Sequence, residues 1–186
     1  MSKNILGTLC MVASVTFFSL MDILVKITDE YAVGQILFFR ALFGLIPIFF
    51  LIPKNRLKDF YKTKRWGLHF YRSIFGAIAM AAIFIALRNL QLAEVTAMTF
   101  AGPIFVTLLS ILFLNEKVRA KRWSAVGLGF AGVLFMSRPG FESMNYYYIF
   151  PIIFCIGFAC VCIFIRKLTL HGESVWLIAF YFTLVS

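Results

Sequence analysis

The chain has 186 residues, of which 62% are hydrophobic and only 14% charged, with 23 phenylalanines. Soluble domains are closer to half apolar and a quarter charged, so this composition excludes an ordinary soluble fold and points to an integral membrane protein. The net charge of +10 does not indicate a nucleic-acid partner, because the basic residues cluster in short gaps between long apolar runs, where they set membrane topology.

A helix that crosses a bilayer needs about 20 largely apolar residues. In chain order such runs lie at 5–27, 35–52, 67–87, 93–114, 120–137 and 146–165, and a seventh begins near Ser174. Nothing alternates with the period of barrel strands, so the expected fold is an all-α, polytopic transmembrane helix bundle. The first run is longer than a signal-peptide core and lacks a convincing cleavage site, so it reads as a retained first helix. Basic residues fall unevenly between the runs. The second, fourth and sixth gaps hold twelve Lys or Arg, and the first, third and fifth hold Arg88 and Arg138 alone. The excess marks the cytoplasmic side and places the amino terminus there.

The helices carry their own punctuation. Gly76, Ala77, Ala79, Ala81 and Ala82 in the third run, and Gly127, Gly129 and Gly132 in the fifth, are small residues of the kind that let helix backbones approach closely in lipid. Pro47 and Pro103 fall inside the second and fourth runs, where each removes an amide donor and frees a carbonyl. "TAMTFAGPIF" (96–105) adds Thr96 and Thr99 beside Pro103. Such a kinked, hydroxyl-bearing stretch suits a cavity wall, and a plain packing kink is the alternative. Cys10, Cys155, Cys160 and Cys162 all sit inside apolar runs without metal-ligand spacing, and read as small apolar residues.

Charges inside the apolar runs are expensive and mark function by default. Asp22 and Lys26 lie four apart on one helix face. Arg40 enters the second run to a depth similar to that of Asp22, about 7–8 Å below the same boundary at roughly 1.5 Å per residue. The expectation is that Asp22 and Arg40 pair, and that with Lys26 they form a charged patch facing a water-accessible interior. Snorkelling of Lys26 and a purely structural ion pair are the alternatives. Arg72 and Glu116 lie toward the opposite boundary and read as a structural anchor. His69 and His171 lie at helix ends without an obvious acidic partner. No phosphate-cradling loop, metal motif or catalytic constellation is present in the sequence, so neither an enzyme nor a bound cofactor or metal is expected.

Residues 86–140 resemble the EamA-type domain of the drug/metabolite transporter superfamily. The ordered features are Ala86-Leu87 with Asn89-Leu90, Pro103-Ile104-Phe105, Leu114-Asn115-Glu116, Arg122-Trp123, Gly127, Gly132 and Pro139-Gly140. "FFRALFGLIPIFF" (38–50) and "FYRSIFG" (70–76) resemble the family's second and third helices, and their "FFR" and "FYR" are distantly similar to the S-adenosylmethionine carriers. The resemblance implies ten helices in two five-helix repeats of inverted topology around a central cavity. This chain then holds the first repeat, 1–138, with helix six and part of helix seven in 139–186, and reads as a piece of a longer protein. The stretch 18–27 aligns with 158–167, which sets Lys26 opposite Arg166 and Asp22 opposite Cys162; by the loop count the first helix runs outward and the sixth inward, as inverted repeats require. The implied function is alternating-access carriage of a small polar or amphipathic metabolite in a bacterial inner membrane, with Asp22, Lys26, Arg40, Thr96 and Thr99 toward substrate. Glu116, Arg72 and Pro103 are structural in this reading, and a second copy of the chain is an expected partner beside the lipid bilayer. A non-transporting membrane fragment or scaffold is the alternative, and a membrane-embedded enzyme a remote third.

Overall fold

A computed structural model describes residues 3–28, 30–51, 63, 65–114, 123–124, 126–129, 131–132 and 145–185. These residues are helical wherever they are regular, and no strand occurs among them. The helices are α1 (Lys3–Ile27), α2 (Val33–Leu51), α3 (Trp66–Asn89), α4 (Leu92–Thr99), α5 (Gly102–Leu114), α6 (Ile149–Leu170), preceded by a 3-10 turn at Tyr146–Tyr148, and α7 (Val175–Val185). Helical residues also occur at 123–124, 126–129 and 131–132, within the fifth apolar run.

Four stretches among the described residues are long and apolar enough to cross a membrane: Ile5–Ile27, Trp66–Asn89, Leu92–Leu114 and Tyr146–Leu170. Val33–Ile48 and Val175–Val185 are shorter apolar helices. The expected boundary between repeats, near residue 138, lies outside the described residues, as does Glu116.

α3 is the centre of the bundle and touches α1, α2, α4, α6 and α7. Its closest partner is α6, and the reason is size. A Cβ on Gly157 of α6 would stand 2.9 Å from the Ala79 Cβ and 3.1 Å from the Phe75 carbonyl oxygen, so only glycine lets these backbones meet. Small residues at a crossing are how helices associate where water exclusion gives no drive between them. Toward the far end of α3, Val25, Ile83, Phe84, Ala86, Leu87, Leu90 and Val95 form one buried cluster, which ties α1 and α4 to it.

Two cations fix the relative direction of α1 and α3. Lys26 Nζ donates to the Leu90 carbonyl at the carboxyl end of α3. Arg88 Nη2 donates to the Thr28 carbonyl, just past the carboxyl end of α1, at 2.9 Å. Each helix therefore supplies the cation that caps the other's terminal carbonyls, which are unsatisfied within a helix and carry the negative end of its dipole. The two helices run parallel. α6 runs the opposite way: Tyr147 and Tyr148 at its start pack on the cluster that holds Leu90, and its far end leads to Glu173, which meets His69 near the start of α3.

Local sequence chemistry ends α6. Gly172 has φ +77°, its N–H donates to Thr169 O at 3.0 Å, and Glu173 N–H donates to Leu168 O at 3.1 Å. This double bond pattern around a left-handed glycine is the Schellman stop. It turns Glu173 back toward α3.

The fourth apolar run is two helices. α4 stops at Thr99, Phe100 and Ala101 form a turn, and α5 starts at Gly102. Pro103 stands in the first turn of α5, where its missing N–H has no helical acceptor to lose. The Cys155 thiol of α6 lies 3.6 Å from the Met98 carbonyl oxygen and 3.9 Å from that of Thr99, and covers the break. The free cysteine thus serves as a weak donor as well as a small apolar residue.

Candidate functional site

α1 and α2 diverge around a cleft of about 390 Å³. α1 gives it one stripe, Met21, Leu24, Val25 and Thr28, at the spacing of a single helix face. α2 gives Ile36, Phe39, Arg40 and Phe43 in the same pattern, and Phe84 of α3 forms the floor. An apolar hollow of this size with a few polar groups is the usual form of a small-molecule site. Its polar groups come from Thr28, Tyr31, Gln35 and Arg40.

Of the residues expected from the sequence, the structure brings Arg40 alone to this cleft. Asp22 is half-buried and makes no hydrogen bond or ion pair with Arg40, so the expected pair does not form in this structure. The reason is helix rotation. Successive residues turn by about 100° on a helix of 3.6 residues per turn, so with Met21 facing the cleft Asp22 points aside. Lys26, one turn on from Asp22, reaches Leu90 of α3 rather than the hollow. The guanidinium of Arg40 instead lies 5.8 Å from the centroid of the Phe182 ring on α7.

Thr96 and Thr99 are also apart from the cleft lining. The Thr96 hydroxyl donates to Leu92 O and the Thr99 hydroxyl to Thr96 O, each at 2.7 Å. Each keeps acceptor capacity beside the break at Phe100. Arg72 is buried, with its guanidinium carbon 4.2 Å from the Phe182 centroid; its expected partner Glu116 lies outside the described residues.

The sequence reading missed one acid–base contact. His69 is buried and its Nε2 lies 3.8 Å from Glu173 Oε2, so His69 does have an acidic neighbour. The Thr63 hydroxyl donates to Glu173 Oε1 at 2.8 Å, and the His69 and Trp66 rings pack against Tyr181. The two residues are 104 apart in sequence and meet only because α6 turns back at Gly172, which no local spacing signals. Among the described residues no three His, Cys, Asp or Glu gather as a metal site.

Four apolar stretches long enough to span, a buried small-residue crossing and an apolar cleft between α1 and the shorter α2 mark an integral, multi-pass helical membrane protein. Within that class, residues 5–138 match the EamA-like transporter family, and the chain belongs to it. The chain is 28% identical over 155 residues to the S-adenosylmethionine uptake transporter of Rickettsia felis, covering 82% of this chain and 51% of that protein. It is 30% identical over 147 residues to an uncharacterized transporter of Helicobacter pylori, with 77% and 47% covered. It is 27% identical over 184 residues to the pseudopaline exporter CntI of Pseudomonas aeruginosa, with 97% and 63% covered. The chain thus spans about half the length of the first of these relatives. No solved structure matches it significantly.

Proposed function

We propose that the chain works as part of a multi-pass carrier for a small polar or amphipathic metabolite, with the cleft between α1 and α2 as its substrate entrance. The observation that carries this reading is the meeting of the family match over residues 5–138 with a hollow of about 390 Å³ in which Arg40 is the one formal charge among the described residues. Relatives named for S-adenosylmethionine uptake and pseudopaline export support a metabolite, and make these two compounds the first to test. Arg40 contacts substrate in the cleft. Asp22, Thr96 and Thr99 serve it from neighbouring surfaces as the helices rearrange, while Lys26 holds α1 to α3.

The mechanism is alternating access in a ten-helix assembly of two inverted repeats, the first at 1–138. The opposite senses of α1 and α6 support that symmetry. The protein lies in a bacterial inner membrane with its amino terminus in the cytoplasm, as the twelve-to-two distribution of basic residues favours. It is no enzyme, and a homodimer is a further part of the proposal.

The test is uptake and efflux of labelled S-adenosylmethionine, and untargeted metabolite profiling, in cells carrying the full gene, its R40Q variant or neither. The reading predicts a solute whose flux rises with the gene and falls at least tenfold in R40Q at equal expression. Identical profiles with and without the gene would sink it.

A further inference from the structure

Two arginines from different helices converge on one aromatic ring. The Arg40 and Arg72 guanidinium carbons lie 5.8 Å and 4.2 Å from the centroid of Phe182. Each closes a triplet of two aromatics and an arginine, Phe38-Phe39-Arg40 on α2 and Phe70-Tyr71-Arg72 on α3. The ring is seated against glycine: a Cβ on Gly76 would stand 2.5 Å from Phe182 Cε2, so any larger residue would force the ring to shift. Beside it, a Cβ on Gly44 would stand 3.1 Å from Thr183 Cγ2. α7 is thereby wedged against both α2 and α3.

Among the described residues this cluster is rich in donors and poor in acceptors. Arg72 is 8% exposed, and its Nε and Nη1 are buried without a hydrogen-bond partner. Of the described carboxylates, Glu173 is taken by Thr63 and His69, Glu94 accepts from Tyr148 at the other end of α3, Glu30 is exposed in the α1–α2 turn and Asp22 contacts neither arginine. An aromatic face attracts a guanidinium's charge but leaves the N–H groups at its planar edge without acceptors. The group that satisfies that edge is a carboxylate, which it binds through two parallel hydrogen bonds.

We infer that Arg40 and Arg72, set about the Phe182 ring, form a two-point site for a small molecule that bears a carboxylate. The ligand enters by the cleft, where Arg40 is half-buried and reachable, and its carboxylate passes to Arg72 beyond the ring. The remainder of the ligand is largely apolar or aromatic, since Met21, Leu24, Phe39 and Phe43 wall the entrance, with Thr28, Tyr31 and Gln35 there for its polar groups. The inference rests on the carrier reading for what becomes of the ligand, and on the arginines alone for its binding.

The experiment measures binding to the purified full chain in nanodiscs of phosphatidylcholine, by calorimetry and by shift of the unfolding midpoint. The probes are benzoate and N-acetylmethionine, each against its neutral amide. At least one acid should bind tenfold or more tightly than its amide, and R40Q should lower that affinity at least tenfold. R40K, which keeps the charge and loses the planar fork, should recover only part. R72Q should weaken binding likewise; should it fail to fold, F182L tests the same cluster through the ring and should weaken binding several-fold. Equal binding of acid and amide, or full acid affinity in R40Q, overturns the site. Transport of some solute with acids and amides bound alike sinks the carboxylate site and leaves the carrier. Carboxylate binding without any transport does the reverse.

Discussion

Removing the Lys26 ammonium leaves the Leu90 carbonyl at the end of α3 without its donor, in a part-buried position. A hydrogen bond involving a charged group is worth about 1.5–3 kcal/mol. K26M should therefore destabilise the protein by about that amount, read as a lowered unfolding midpoint of the purified chain, while expression remains. An unchanged midpoint would place the ammonium in water rather than on α3. Lys26 also shows what a sequence withholds. The i, i+4 spacing puts Asp22 and Lys26 on one face correctly, and the count of residues gives depth. Depth is one coordinate; rotation about the helix axis is the other. The count sets Arg40 and Asp22 at one expected depth, but they differ in rotation, because Met21, Leu24, Val25 and Thr28 take the cleft. Phe182 was invisible for a different reason: among 23 phenylalanines nothing local distinguishes the one that two arginines share.

At the scale of the element, the apolar runs were legible because a bilayer demands about 20 such residues in succession. Their ends and breaks depend on neighbours. The fourth run reads as one helix with a kink at Pro103, yet it is two helices, α4 and α5, with the proline in the first turn of the second. The Cys155 thiol on α6 covers the carbonyls at that break, and no spacing within the run points to it. P103A should accordingly change stability by less than about 1 kcal/mol, against the roughly 3 kcal/mol or more that separates proline from alanine deep inside a helix. Chemical unfolding of the two forms distinguishes these. The crossing of α3 and α6 should be the sensitive one. G157V places methyl groups against Ala79 and the Phe75 carbonyl, and overpacking of this kind costs about 1–3 kcal/mol. A G157V protein as stable as the parent would mean that α6 does not pack on α3 as described.

For the whole molecule, composition alone gave the class and the ordered motifs gave the family, which the match over residues 5–138 shows. The hollow between α1 and α2 was not legible, since it is a property of two helices diverging rather than of either one. Its existence as a path for polar solutes is the claim on which the function turns. The direct measurement is reaction with a membrane-impermeant thiol reagent in intact cells, with single cysteines added to the parent chain. Thr28→Cys, Gln35→Cys and Phe39→Cys lie in the cleft, while Phe50→Cys and Leu112→Cys lie on exposed apolar faces away from it. The account predicts fast labelling at 28, 35 and 39, slow labelling at 50 and 112, and protection at 39 by a transported solute. Labelling at 39 no faster than at 50 and 112 would contradict it.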